Sequence, residues 1–452
     1  MKLGFSVLAL AVVGWSAAQT PAKVPQTPDV KLPPPLVLPD LAVGGAKLPA
    51  GELSLKSAID FALINQPLVL SSRGFLQAAQ GRRVLAQTGL NPTVGLNLSF
   101  TNSASLGGSF TSVNGGGVGW RSSLGLSANQ LLYDFGRTPS LVKAQTEGVR
   151  SAEADLARVR QDVAFRVANA YYTVLLAKQL VVIAENNVKN RQSQLGLSQA
   201  RVAVGLGAPS DMVRAKATLA DAVAQLTNAQ ADELASEVNL LLSMGADPRQ
   251  KLSIGDAQVD DVDADPQARM DLALKNRPEL RSARADLNQA RYALDVAKKT
   301  NVPTLLLVAA YSGRGVGDPF SSRSGSLAVL LNWTFGDGGA TRGQTAVALG
   351  NFQSAVANLT QSTQLVISDV IQAGLDLSNA TLRKQTAEVG VANARELVRI
   401  SNGRYEGGVG QFLEITDAQS QLVSAERNLA VAAIDVFRAK IALQRAMGTI
   451  LN

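Results

Sequence analysis

From about residue 52 the chain states one pattern twice, and that repetition limits the folds open to it more than any other feature. Asn65-Gln66-Pro67 returns as Asn276-Arg277-Pro278 and Pro92 returns as Pro303, both at an offset of 211 residues. "LLYDFG" at 131–136 is answered by "LNWTFG" at 331–336, an offset of 200. Between these anchors Val149, Leu156, Val163, Ala170, Ala177 and Ala184 recur every seventh residue. At an offset of 203 they meet Phe352, Leu359, Val366, Ala373, Ala380 and Ala387, with Ala394 one heptad further on. A seven-residue apolar period calls for helices that supercoil, and the passage from bulky residues to Ala brings neighbouring helices closer toward the far end.

Each half therefore reads as one series: a helix (54–90, then 268–300), two alternating strands, a very long helix (139–203, then 341–403), a Gly-containing turn and a return helix (209–244, then 411–449). A helix of roughly 65 residues spans roughly 100 Å. The expected units are a signal peptide at 1–18, a Pro-rich arm at 19–51, a first repeat at 52–245, a connector at 246–267 and a second repeat at 268–452. The arm's prolines favour an extended segment. In the connector Asp260, Asp261, Asp263 and Asp265 lack the Gly and Glu positions of a calcium loop, so a solvated loop is expected there.

The first residues carry one Lys, an apolar run from Leu3 to Trp15 and the small residues Ser16, Ala17 and Ala18, which predicts export with cleavage after Ala18. No later stretch offers the unbroken apolar run of about 18 residues that a spanning helix needs. Cys and His are both absent, which excludes thiolate and imidazole nucleophiles, the Ser-His-Asp triad, ordinary zinc sites and disulfides. A non-enzyme without cofactor or metal is expected. The net charge of +7 comes from basic residues scattered along the chain and not interleaved with aromatics, a solvated surface rather than a nucleic-acid site.

The strands speak for a membrane. In 93–102, Val94, Leu96, Leu98 and Phe100 alternate with Gly95, Asn97, Ser99 and Thr101; in 120–129, Trp120, Leu124 and Leu126 alternate with Arg121, Ser123, Gly125 and Ser127. In 326–335, Leu327, Val329, Leu331, Trp333 and Phe335 share one side. This is period two with one apolar and one small or polar face. The strands have about the ten residues a tilted membrane strand requires, and Trp120, Tyr133, Tyr311, Trp333 and Phe335 are placed as an interfacial aromatic girdle. Four strands cannot close a membrane barrel, and an open edge in lipid leaves backbone groups unpaired, so several chains must share one barrel. Eight strands from two chains or twelve from three satisfy closure.

The twofold pattern, the junctions "LLYDFG" and "LNWTFG", and the turns "RVAVGLGAPSD" at 201–211 and "RYEGGVGQFLEITDAQ" at 404–419 together make the chain resemble the outer-membrane efflux protein family, the TolC-like exit ducts, over about residues 52–449. The resemblance implies a mainly α fold with a small β-barrel portion. It implies a homotrimer in which an α-helical barrel crossing the periplasm is continuous with a 12-stranded outer-membrane β-barrel surrounded by outer-membrane lipid. It also implies partners: a periplasmic adaptor (membrane fusion protein) and an inner-membrane pump or ABC transporter, in tripartite efflux or type I secretion. A non-conducting structural envelope protein, a coiled-coil spacer with an outer-membrane anchor, is the alternative.

In that family rings of carboxylates close the periplasmic tip, and the matching positions are Glu414 and Asp417. Such a ring favours cations. Alternatively, two acids in a helix's first turn simply complement its dipole. Tyr405 matches the family's gate, whereas Gly410 stands where the family often has an Arg; in the first half the corresponding pair is Asp211 and Arg214, so Arg214 is expected to bridge to the carboxylates. Val204, Gly205, Leu206, Gly408, Val409 and Gly410 resemble the tips on which adaptor hairpins dock, and a glycine C-cap followed by a tight turn explains the same residues without a partner.

Overall fold

A computed structural model describes residues 46–48, 51–103, 119–255, 265–316 and 321–451. The expected signal peptide, nearly all of the arm, and Asp260, Asp261 and Asp263 lie outside the described residues; Asp265 caps the helix that begins at Pro266 by accepting from the N–H groups of Gln267 and Ala268.

The first helix of each half is two helices, not one. α1 (Leu55–Asn65) and α2 (Pro67–Thr88) break at Gln66, and the helices Pro266–Asn276 and Pro278–Lys298 break at Arg277. Proline has no N–H to donate and drives the residue before it out of the helical region. Gln66 (φ −69°, ψ 123°) and Arg277 (φ −61°, ψ 123°) are accordingly extended. Both side chains turn inward: Gln66 Nε2 donates to the carbonyl of Ser243 at 2.9 Å, and Arg277 reaches Asp369 at 2.8 Å and the carbonyl of Arg445 at 3.3 Å.

In chain order the remaining elements are β1 (Thr93–Ser103), β2 (Gly119–Tyr133), α3 (Arg137–Ala203), α4 (Pro209–Met244), α5 (Pro266–Asn276), α6 (Pro278–Lys298), β3 (Thr304–Val316), β4 (Ser322–Asn332), α7 (Ala340–Glu406) and α8 (Phe412–Ala446). The two long helices, α3 and α7, have 67 residues each. Each begins under the same lock. Asp134 accepts from the N–H groups of Gly136 and Thr138, and Asp337 from those of Gly339 and Thr341. These pairs are 203 apart, whereas the junction motifs match at 200, so the second half carries three extra residues before its long helix.

The core lies about midway along α3. Val163, Val167, Tyr171 and Val174 pack against Ala58 and Ala62 of α1 and Leu240, Leu241 and Met244 of α4, and the Tyr171 hydroxyl donates to the carbonyl of Leu53 or Gly255, 2.9 and 2.6 Å away. By length and mean hydropathy α3 contains a stretch that would suit a bilayer span, of which 39% is buried within the protein. On the opposite side Ala168 and Tyr172 meet Ile434 and Ile441 of α8, with Tyr172 stacked on Phe437 at 5.4 Å, which fastens the halves together. The seam positions Val149, Val163, Ala177, Ala184, Val366, Ala373, Ala380 and Ala394 are buried. On α7, however, Leu375, Leu382 and Val389, also seven apart, are left bare; Leu382 is 60% exposed.

The four strands form one antiparallel sheet in the order β1-β2-β3-β4. Leu96 faces Leu126, Leu126 faces Tyr311, Ala309 faces Leu327 and Leu307 faces Val329, so the apolar sides of all four strands make one face. Among the described residues nothing covers it: Leu96 is 71% and Leu327 74% exposed. On the other face Ser99 pairs with Ser123 and Ser312 with Ser324, both hydroxyl to hydroxyl at 2.8 Å. Among the described residues β1 and β4 have no second neighbour.

The five aromatic residues expected to form a girdle occupy different positions relative to the strands. β4 ends at Asn332, so Trp333 and Phe335 stand beyond the strand, where they pair at 4.4 Å, much as Tyr133, the last residue of β2, pairs with Phe135 at 4.9 Å. Tyr311 lies in mid-strand opposite Leu126 and Gly325, on the apolar face. Trp120 pairs in register with Asn102 at the other end of the sheet.

Candidate functional site at the helix tips

At the end remote from the sheet, α3 turns into α4 and α7 into α8 through closely matched turns. The N–H groups of Leu206 and Gly207 donate to the Arg201 carbonyl at 2.9 and 3.0 Å, and those of Val409 and Gly410 to the Arg404 carbonyl at 3.0 and 2.9 Å. Gly205 (φ 77°) and Gly408 (φ 78°) take the left-handed conformation that closes a helix C-terminus. Gly410 is required for a different reason. A Cβ there would lie 2.9 Å from the backbone nitrogen of Tyr405, so a turn of this shape excludes the Arg that the family often carries. Val204, Leu206 and Val409 project from the turns, all exposed.

Just behind the turns sits a small core of Tyr405, Phe412, Ile415 and Ala215, and Tyr405 is only 5% exposed. Arg201 ties the two hairpins together here. Its Nη1 donates to the Tyr405 carbonyl at 2.6 Å and its guanidinium lies 4.6 Å from the centre of the Tyr405 ring. Burial pushes the Tyr405 phenol pKa up, the Arg201 charge opposes this, and the Asp211 carboxylate adds to it. Asp211, Arg201 and Tyr405 thus form one electrostatic cluster drawn from α4, α3 and α7.

Glu414 and Asp417 occupy the first turns of α8. Within the chain it is Arg404, not Arg214, that meets Glu414, with Nε 3.2 Å from Oε2. Arg214 is exposed and makes no ion pair among the described residues, and Asp417 is likewise exposed and unpaired among them. Arg201 and Arg404 did not stand out in the sequence, although their separation of 203 matches the spacing of the repeated seam.

About one to four turns further from the tip the seam becomes polar. Arg191, only 5% exposed, donates to Gln194 Oε1 at 3.3 Å and to Ser420 Oγ at 3.0 Å, and burial pushes its pKa down. Asn187 Oδ1, Gln194 Nε2, Ser198 Oγ and Gln419 Oε1 are buried around it without partners among the described residues. A cation enclosed by neutral groups costs folding energy unless it is well hydrogen-bonded.

The family model for outer membrane efflux proteins matches residues 58–246 and 270–449. The chain belongs to the outer membrane efflux protein family. Both matched segments run from the first helix of a half to the end of its return helix, and together they contain the sheet and both tips. The efflux protein BepC of Brucella suis is 25% identical over 338 residues, 72% of each chain. CyaE of Bordetella pertussis is 26% identical over 421 residues, 88% of this chain and 84% of its own. The crystal structure of the outer membrane protein VceC of Vibrio cholerae superposes with a TM-score of 0.77 at 23% identity, covering 87% of this chain and 96% of VceC, and shares the fold. Membership in this family places the chain in the outer membrane, with its long helices reaching into the periplasm.

Proposed function

We propose that three copies of this chain assemble into one passive exit duct, the outer-membrane component of a tripartite efflux or type I secretion system. The observation that carries the reading is the four-stranded sheet whose apolar face is bare and whose two edges are unpaired among the described residues. In lipid those edges must be satisfied by other strands, and three sheets supply the twelve strands of a closed barrel. The uncovered stripe Leu375, Leu382 and Val389 on α7 supports the same assembly, because an exposed apolar stripe of this length calls for a neighbour. The long helices then line a tube across the periplasm.

Glu414 and Asp417 of three chains form the constriction at its inner end, and Asp211, Arg201 and Tyr405 hold that end shut. The exposed apolar tips at Val204, Leu206 and Val409 receive the periplasmic adaptor, which couples the duct to a pump in the inner membrane. The deciding experiment is single-channel recording from the purified oligomer in planar bilayers, wild type against Glu414→Ala/Asp417→Ala. Small cation-selective steps that grow larger and lose their preference for cations in the variant are expected. Unchanged steps reject the carboxylate constriction, and absence of any channel rejects the duct.

A further inference from the structure

The second charged feature of the molecule lies at the opposite end from the carboxylates. The strands and the turns joining them carry three arginines, Arg121, Arg314 and Arg323, and a single acid, Asp318, which lies outside the described residues. Register puts Arg121 opposite Thr101, and Arg314 opposite both Ser123 and Ser322. Both therefore belong to the face of Ser99, Ser123, Ser312 and Ser324, not to the apolar face, and they sit on adjacent strands near the end of the sheet remote from the helices. Arg323 pairs in register with Gly313 and falls on the apolar face.

The surroundings of Arg121 and Arg314 leave their charge uncompensated. No strand residue is acidic, and the neighbouring serines direct their hydroxyls to each other. Both arginines are exposed and neither makes an ion pair among the described residues. The nearest neighbours on this face, Thr101, Ser123, Ser312 and Ser322, are short, which leaves these two arginines the longest side chains among them. Even a full pairing of Asp318 with one of them leaves each chain with an unmatched cation on this face.

We infer that Arg121 and Arg314 form a cationic collar inside the outer mouth of the barrel that selects anionic solutes for exit. The inference rests on the trimeric-barrel reading, which brings six guanidinium groups around one lumen. Rings of arginine favour anions, and low-dielectric barrel walls focus the field of such a ring into the water-filled passage. The duct then carries two filters of opposite sign separated by the length of its helices: acids at the inner tip, arginines at the outer mouth. A cargo bearing carboxylate, sulfonate or phosphate groups is drawn outward once it has passed the tip.

The test uses the oligomer in planar bilayers under a salt gradient, in the Glu414→Ala/Asp417→Ala background so that the tip filter is removed. The collar predicts chloride preferred over potassium, and a preference reduced by about threefold or more in Arg121→Ser/Arg314→Ser but kept in Arg121→Lys/Arg314→Lys. On the unmutated collar, inositol hexakisphosphate added from the outer side should block current in a voltage-dependent manner. Channels whose selectivity ignores the arginine substitutions, or which inositol hexakisphosphate fails to block, overturn the collar while leaving the duct intact. A protein that forms no channel in any variant overturns the duct and the collar with it.

Discussion

The guanidinium of Arg201, in the last turn of α3, donates to the carbonyl of Tyr405 at 2.6 Å and lies 4.6 Å from the centre of that residue's ring. One side chain thereby clamps the end of the first hairpin to the end of the second. A hydrogen bond from a charged donor contributes about 1.5–3 kcal/mol and a partly desolvated cation–π contact about 1 kcal/mol. Arg201→Ala should therefore let the tips separate. Because the chain has no cysteine, spin labels at Val204→Cys and Val409→Cys report the distance directly. A broader and longer distance distribution in the Arg201→Ala background is expected, and an unchanged one removes Arg201 from any role in closure.

Arg404 and Glu414 make a contrasting pair. Both side chains are about half exposed, and such pairs contribute roughly 0–1 kcal/mol. Arg404→Ala should leave the melting temperature nearly unchanged. Its effect belongs to permeation: without Arg404 beside it the Glu414 carboxylate is free to act on passing ions, and the channel becomes more cation-selective. A large loss of stability with no change in the permeability ratio would reverse these assignments.

How much of this was legible in the sequence depended on the range of the forces involved. The seam Val149, Val163, Ala177 and Ala184 was readable because its period is local and is sustained over many turns. The ends of α3 and α7 were readable because Gly205 and Gly408 satisfy a backbone requirement that few other residues meet. The breaks at Gln66 and Arg277 were visible as an echoed motif but not as breaks, since Pro is equally at home in the first turn of a helix and at an interruption. Trp333 continued the strand's alternation on paper, yet the ladder stops at Asn332 because Thr304 is the last residue of β3 able to pair. The Arg201 clamp was beyond reach, because it joins residues 204 apart and no local pattern records which pair of turns will meet.

Acid should loosen the start of α7. The Asp337 carboxyl is held below its ordinary pKa by hydrogen bonds from Thr341, first from its side chain and then from its backbone N–H, and from the N–H of Gly339. A group with a depressed native pKa contributes stability above its unfolded value of about 3.9, and that contribution is lost as pH falls through the native value. Wild type should therefore lose melting temperature below about pH 4 with a contribution that Asp337→Asn lacks. Parallel melting curves for the two proteins across that range would count against the lock.

The tip glycines separate a backbone requirement from a binding surface. At Gly205 a Cβ would find no atom within 4 Å, so a substitution there meets only the cost of a left-handed backbone, about 1–2 kcal/mol. At Gly410 a Cβ would press within 2.9 Å of the Tyr405 nitrogen, and the turn itself must deform. Gly410→Ala should consequently lower the melting temperature more than Gly205→Ala. If the tips also receive an adaptor, bulky residues at Gly205 and Gly408 should abolish export in cells while the proposed trimers still reach the outer membrane. Blue-native gels of outer-membrane fractions, set beside an export assay, distinguish the outcomes. Lost trimers mean that the glycines matter for assembly, and normal export with intact trimers removes the docking role and leaves them as helix caps.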